Sequence, residues 1–208
     1  LMNTLADWKT RPRPVRATLT GTYCRLEPLA PAVHGDQLFA ASMAPGFEDR
    51  YRYLFDEPQS RAVFDQWVTR MVVSEDPLCF AVIDSASGRC EGRQSLMRIT
   101  PEHGVIEIGN ILWGAAMARS RIATEALYLF ARYAFEELGY RRFEWKCDSR
   151  NEPSRRAALR FGFTYEGIFR RHMVIKGQNR DTAWFAITDG DWPVIRNAFA
   201  EWLKPDNF

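Results

Sequence analysis

The chain has 208 residues, with 28 Lys and Arg against 26 Asp and Glu and a formal charge of +2. That length builds one large domain or two small ones with a core of useful size, and 46% hydrophobic with 13% aromatic residues excludes a disordered chain. No uncharged run is longer than Ile108 to Ala118, which is too short to cross a bilayer as a helix. The stretch Leu1 to Lys9 lacks a basic-then-apolar signal pattern. Cys24, Cys79, Cys90 and Cys147 have no CxxC spacing, so they read as buried free thiols in a reducing compartment, with the cytoplasm as the expected location and no metal site expected. The near-neutral total hides an asymmetry: residues 141–180 hold eleven Lys/Arg and four Asp/Glu, a local balance of +7. That segment either meets an anion or is a solvated face.

In chain order, Tyr23–Leu29 alternates as a strand, and Pro31 opens a helix to about Met43. Asp56–Ser60 leads into a second helix that holds Pro58 early and runs to about Val73; its Val63, Phe64, Trp67, Val68 and Met71 recur at helical spacing. Leu78–Ile83 is the continuous apolar run of a central strand. After the turn Asp84–Gly88, Cys90–Thr100 returns antiparallel, and Val105–Trp113 forms another strand whose apolar pattern is interrupted by Glu107 and Gly109. Ser120–Leu138 is the strongest helix, with Ala123, Leu127, Phe130, Ala134 and Leu138 on one stripe and Gly139 as its stop. In Arg142–Cys147, Phe143, Trp145 and Cys147 alternate with Arg142, Glu144 and Lys146. A short helix near Glu152–Phe161, a hairpin of Phe163–Ile175 and Arg180–Thr188 around Lys-Gly-Gln-Asn, and a helix Asp191–Leu203 complete the chain. The three-strand meander requires antiparallel pairs, and the strand–helix–strand from Val105 to Cys147 permits one parallel pair through a right-handed crossover. The expected fold is a single α/β (α+β) domain over residues 20–208. It has a mixed, mostly antiparallel sheet of about seven strands flanked by helices, after an extension over residues 1–19.

The Trp113–Ala123 connection leads a strand into a helix N-terminus, where free N–H groups and a positive dipole end suit an anion such as a pyrophosphate. Arg119 and Arg121 could add charged contacts. The plainer reading is an ordinary connection with Ser120 as N-cap and solvated arginines.

Taken together, four stretches resemble a known family: Arg25-Leu26-Glu27-Pro28-Leu29; Glu107-Ile108-Gly109-Asn110; Ile122-Ala123-Thr124-Glu125-Ala126-Leu127 ahead of Ala-Phe-Glu-Glu-Leu-Gly (134–139); and Asn151-Glu152-Pro153-Ser154 followed by Gly162-Phe163 and Glu166-Gly167. They resemble the GNAT superfamily of N-acetyltransferases, and within it the RimJ/RimL type that acetylates protein N-termini. The resemblance implies direct transfer of an acetyl group from acetyl-CoA to a primary amine, either a protein N-terminus or a small amine. It places coenzyme A against Leu112, Trp113, Arg119, Ser120, Arg121, Ile122, Ala123, Thr124, Asn151 and Arg156. The acceptor would meet Tyr51, Arg52, Tyr53, His172 and Asp181. Glu107, an acid inside an apolar strand, is the expected base through a water, with His172 and Asp181 in reserve. Ser154 matches a serine proposed as the acid, because the position of the superfamily's tyrosine is Ala158 here; a helix first-turn residue bonding backbone is its plainer role.

The superfamily loop has the form Gln/Arg-x-x-Gly-x-Gly/Ala, and its first and central positions here are Ala118 and Arg121. If Arg121 must adopt a positive φ, the cost is of order 1–2 kcal/mol; otherwise the loop takes another path. Arg150, Arg155 and Arg156 are expected beside the cofactor phosphates, and Cys147 in the core. No nucleic acid or membrane partner is expected; the sequence leaves the oligomeric state open, and a homodimer is what the family often forms. The competing reading is a coenzyme-A-binding protein of the same fold with lost or altered catalysis.

Overall fold

The computed structural model describes residues 5–57 and 60–208. Residues 1–4, part of the stretch read for a signal pattern, and Pro58, expected early in a helix, lie outside them. Eight strands form one sheet: β1 (Leu19–Thr20), β2 (Cys24–Pro28), β3 (Leu78–Asp84), β4 (Cys90–Thr100), β5 (Val105–Trp113), β6 (Arg142–Asp148), β7 (Thr164–Ile175) and β8 (Gln178–Thr188). The order is β1-β2-β3-β4-β5-β6-β8-β7, and β5–β6 is the parallel pair. The strand beyond the expected seven is β1, whose two residues are too short to show alternation. Six α-helices surround the sheet: α1 (Pro31–Ser42), α2 (Phe47–Tyr51), α3 (Arg61–Val73), α4 (Arg121–Arg132, continued by a π-turn over Tyr133–Glu137), α5 (Glu152–Arg160) and α6 (Trp192–Trp202).

The apolar run of β3 is buried on both faces. Phe80 and Val82 pack with Leu127 and Phe130 of α4, while Cys79, Ala81 and Ile83 pack with Leu38, Phe64 and Trp67 of α1 and α3. Ser60 caps α3, its side chain accepting from the Val63 N–H. The β7–β8 hairpin turns on Lys176 and Gly177, at φ +50° and +71°. A two-residue turn of this hand suits the strand twist, so Gln178 already pairs with Ile175 and β8 starts two residues before the expected Arg180. All four cysteines are free and buried. Among the described residues no helix is long and apolar enough to cross a membrane.

Residues before β1 lie against the domain. The Trp8 indole donates to the Glu102 carbonyl at 2.8 Å, and the Arg11 N–H to the Pro101 carbonyl at 3.0 Å. A stronger tie joins β2 to α4. The Glu125 carboxylate, 4% exposed, accepts the backbone N–H groups of Thr22, Tyr23 and Cys24 at 2.8, 2.6 and 2.7 Å. Gly21 makes room for it, since a Cβ there would fall 2.4 Å from the Glu125 carboxyl carbon.

Three positions at positive φ re-aim strands around one region: Arg98 in β4, Asn110 in β5 and Arg171 in β7. Each lies where its strand's register shifts. Two are held by a carboxylate that collects the freed donors. Asp76 accepts from the N–H groups of Arg98 and Ile99 at 2.8 and 3.0 Å. Asp181 accepts from the Arg171 N–H at 2.7 Å and the Asn179 amide at 2.8 Å. Bulges of this kind commonly border active sites because they turn a side chain off the regular pleat.

Candidate active site

Parallel pairing of β5 with β6 runs from Val105↔Arg142 to Ile108↔Trp145 and stops there. Beyond it the two strands part, with the Asn110 irregularity on the departing side. The parting opens a cleft with a cavity volume of about 230 Å³. Glu107, Gly109, Asn110 and Trp113 line it from β5. Trp145, Lys146, Cys147 and Asp148 line it from β6, Asn151 and Ser154 from α5, Tyr53 and Phe55 from the segment after α2, and Arg180 from β8.

Glu107 is 3% exposed and belongs to neither a surface edge nor a dry core. Arg98, re-aimed by its bulge, donates from Nη1 to both carboxylate oxygens at 2.8 Å, and Lys146 Nζ lies 3.0 Å from Oε2. Lys146 also pairs with Glu144 at 2.7 Å, and Glu144 with Arg142 at 2.6 Å, so charges alternate across this face of the sheet. Lys146 is held over the Trp184 ring at 3.8 Å. A carboxylate offers about four lone-pair positions. Three are taken, which leaves one on Oε1; the Met97 side chain fills the space beside it where Gly109 carries no Cβ.

On the opposite face, Ser154 Oγ accepts from the Trp145 indole at 3.0 Å, leaving its own proton to give. Asn151 is the N-cap of α5, and its Oδ1 accepts from the Ser154 N–H at 3.2 Å. Cys147 is buried as expected, yet its β6 position also puts it in the cleft wall; burial pushes its thiol up in pKa. The Trp113 indole donates to Gln94 at 3.1 Å, and Gln94 donates to the Ala126 carbonyl of α4 at 2.8 Å.

Beyond Trp113 the chain passes through Gly114–Ser120 into α4. Ser120 is its N-cap, accepting from the Ala123 N–H at 3.4 Å and donating to the Met117 carbonyl at 2.8 Å. The positive φ falls on Arg119, at +57°, while Arg121 is the first helical residue. The loop therefore takes another path from the one that demands a glycine at Arg121. Arg121 lies over the rings of Tyr23 and Phe208, at 4.5 and 5.3 Å, and Arg160 Nη2 donates to Thr124 Oγ1 at 3.2 Å. Among the described residues, the backbone N–H groups of Arg119, Arg121 and Ile122 have no partner, so this helix end retains donors for an anion. Arg119→Gly should therefore separate two properties. Stability should stay level or rise by up to about 1 kcal/mol as the strain is relieved, while affinity for an anion such as pyrophosphate falls through loss of the cation. Thermal melting and calorimetry would read the two effects.

The structure brings together Tyr53, Glu107, Trp113, Asn151 and Ser154 around the cleft. Leu112 is buried beside it, and Ile122, Ala123 and Thr124 follow the α4 cap. Ala158 is buried at the position of the superfamily's tyrosine. Other candidates are engaged elsewhere. Tyr51 is buried and gives its carbonyl to Lys176. Arg52 pairs with Asp49 at 2.5 Å, and Asp181 braces the β7 bulge. His172 accepts from or donates to Thr182 Oγ1 at 2.9 Å, and burial, then Arg180, Arg98 and Lys146, hold its imidazole below the ordinary range. Of the three arginines expected at the phosphates, Arg150 is fastened to Asp148 at 2.8 Å, Arg155 pairs with Glu152 at 3.6 Å, and Arg156 is exposed. Arg98 carries no one-dimensional signal of a place in the site and points inward only because β4 bulges there. Arg180-Asp181 fits the family resemblance in the last hairpin, within a segment, residues 170–181, expected to meet the acceptor, and the structure lines the cleft with Arg180.

The comparisons with known proteins agree with this geometry. Residues 25–164 match the family described as an acetyltransferase (GNAT) domain. A GCN5-related N-acetyltransferase from Brucella melitensis has 55% identity and a TM-score of 0.96, with 98% of this chain and 93% of that chain covered. A probable GNAT-family acetyltransferase from Chromobacterium violaceum has 36% identity and a TM-score of 0.85, with 93% and 96% covered. No curated protein matches. The chain belongs to the GNAT acetyltransferase family, whose members move an acetyl group from acetyl-CoA to an amine.

Proposed function

We propose that this chain acetylates a primary amine, a protein N-terminal α-amine as in the RimJ/RimL type or the amine of a small molecule. The observation that carries the reading is the parting of β5 from β6 next to a helix N-terminus with unpartnered N–H groups. Acetyl-CoA fits that arrangement: Arg119, Arg121, Ile122 and the α4 end for its phosphates, Trp113 and Asn151 along the cleft. It supplies a thioester acetyl group when bound. The chain's own residues do the rest. Backbone N–H groups of the β5 segment beyond Ile108 are placed to polarise a carbonyl. Glu107, with one lone-pair position left, takes the amine proton through a water as the C–N bond forms and the C–S bond breaks. Ser154 donates a hydrogen bond to the departing thiolate, which takes its proton from solvent.

An α-amine of pKa near 7.7–8 is roughly 10% neutral at pH 7, against roughly 0.1% for a lysine amine. This favours an α-amine in a site whose carboxylate is already heavily bonded. A thiol of pKa about 8.5 leaves readily as thiolate, so Ser154→Ala should lower kcat by less than about tenfold in a thiol-release assay. A hundredfold loss would make Ser154 the principal acid. Four buried thiols support a cytoplasmic location, and the exposed Tyr165, Ile168, Phe169 and Val174 on edge strand β7 support a homodimer.

The first test is calorimetric titration with acetyl-CoA, where absence of binding at millimolar ligand overturns the reading. Tight binding without thiol release across a broad amine panel would favour a coenzyme-A-binding protein with lost catalysis.

A further inference from the structure

Most charges around the cleft are paired, and Arg50, which enters no ion pair among the described residues, gives its guanidinium to the Ala44 and Pro45 carbonyls. Arg98 and Lys146 answer Glu107, and Arg150 answers Asp148. Arg93 answers Asp56 and the Asn110 carbonyl. Arg180 makes no direct bond to a carboxylate, although Asp148 and Glu107 act on it through space. It is 7% exposed, its Nε is buried with no hydrogen-bond partner, and among the described residues it enters no ion pair. Its guanidinium lies 5.1 Å from the Phe55 ring centroid. Burial is the largest influence on it and works against its charge. A buried cation without a partner is costly to keep, and a planar guanidinium is suited to grip a carboxylate or a phosphate through two parallel bonds.

Its location says which molecule would bring the anion. Arg180 lines the acetyl-transfer cleft and also the adjoining hollow, which Arg52, Arg150 and Lys176 border. The hollow lies on the β8 side, away from the α4 end that retains donors for the cofactor. The cleft's cavity of about 230 Å³ is below the usual range for drug-sized ligands.

We propose that the acceptor is a small amine that also carries a carboxylate or phosphate, and that Arg180 binds this anionic group so that the amine faces Glu107. The inference rests on the amine-acetylation reading and narrows its substrate. Polyamines and uncharged amines are the wrong partners, because they leave Arg180 unpaired. Arg180 is a specificity-determining residue in this assignment, and its contribution falls on acceptor binding rather than on the chemical step.

The test compares acceptor pairs with the full chain and saturating acetyl-CoA, glycine against glycinamide and O-phosphoethanolamine against ethanolamine, with kcat/KM expressed on the unprotonated fraction of each amine because the anionic group raises the amine's pKa. At least one anionic member should exceed its neutral mate by about tenfold or more in kcat/KM, chiefly through KM, and which pair does so identifies carboxylate or phosphate. Arg180→Gln should abolish the preference by bringing the anionic member down towards its neutral mate, and Arg180→Lys should restore part of it. Equal rates for acid and neutral mates, or a preference that survives Arg180→Gln, would overturn the inference while leaving amine acetylation intact. A second readout does not depend on turnover: calorimetric binding of the same four compounds to the protein with coenzyme A. Anion-dependent binding lost in Arg180→Gln without thiol release would keep the Arg180 site and overturn the acetylation reading. No anion preference in either measurement overturns the site.

Discussion

Glu125→Ala is expected to lose about 3–5 kcal/mol of stability, a large part of the 5–15 kcal/mol typical of a domain. The carboxylate is one acceptor for three consecutive backbone donors, those of Thr22, Tyr23 and Cys24. Removing it leaves those N–H groups with nothing to bond, and each buried orphan costs about 1–3 kcal/mol, discounted because the Thr22 and Tyr23 groups are only partly buried. Glu125→Gln keeps one accepting oxygen and should lose less. The same contact explains why Gly21→Ala should also destabilise: its new Cβ would collide with the carboxylate and push it off all three donors. Denaturant unfolding reads both effects. Because Glu125 sits in α4 four residues after Arg121, the weakened tie should also loosen the helix end proposed for the cofactor. Acetyl-CoA should raise the melting temperature of Glu125→Gln by less than it raises that of the unaltered chain. A Glu125→Ala protein as stable as the parent would mean that the β2 entry can be satisfied by water, and that the three bonds add nothing net.

Glu107→Gln should lower kcat/KM for the amine by about 10²–10⁴, the range for a positioned base, with acetyl-CoA affinity unchanged. Stability should also fall, by about 2–4 kcal/mol, because Arg98 and Lys146 lose the charge they share. The two effects separate in measurement. If kcat/KM drops while the acetyl-CoA dissociation constant holds, Glu107 acts on the proton. If both change together, Glu107 maintains the cleft's shape and another group is the base. Lys146→Met is the companion variant, since it leaves Glu107 in place and removes one of its cations. If Glu107 is the base, Lys146→Met should retain much more kcat/KM than Glu107→Gln does; a loss equal to that of Glu107→Gln would mean that the intact charge cluster, not the carboxylate, supports turnover.

Most of the scaffold is legible in the sequence because its signals are local. The β3 run is apolar on both faces because helices cover both, and the Ser120–Leu138 stripe repeats at the helical period because one side meets the sheet. The alternation of Phe143, Trp145 and Cys147 with Arg142, Glu144 and Lys146 already separates a core face from a polar one. Even the interruption of β5 at Glu107 and Gly109 marks the position where the sheet divides. Such patterns survive in one dimension because they follow from backbone geometry and burial alone.

Other features arise only where distant segments meet. The partners of Glu107 come from β4 and β6, and Arg98 reaches it only because the Asp76 carboxylate holds a bulge open. The loop into α4 avoids the expected strain at Arg121 by moving the left-handed residue to Arg119. The +7 segment, which in one dimension suggests either an anionic partner or a solvated face, divides in three. Arg142, Lys146 and Arg150 spend their charge on carboxylates of the sheet, Arg156 stays in water, and Arg180 is buried without a direct bond to a carboxylate. Local patterning along the chain specifies the sheet, its helices and the strand that divides. Which charges are paired, and which are left unpaired, is settled by the packed fold, because electrostatic pairing depends on distance in space and not on spacing along the chain.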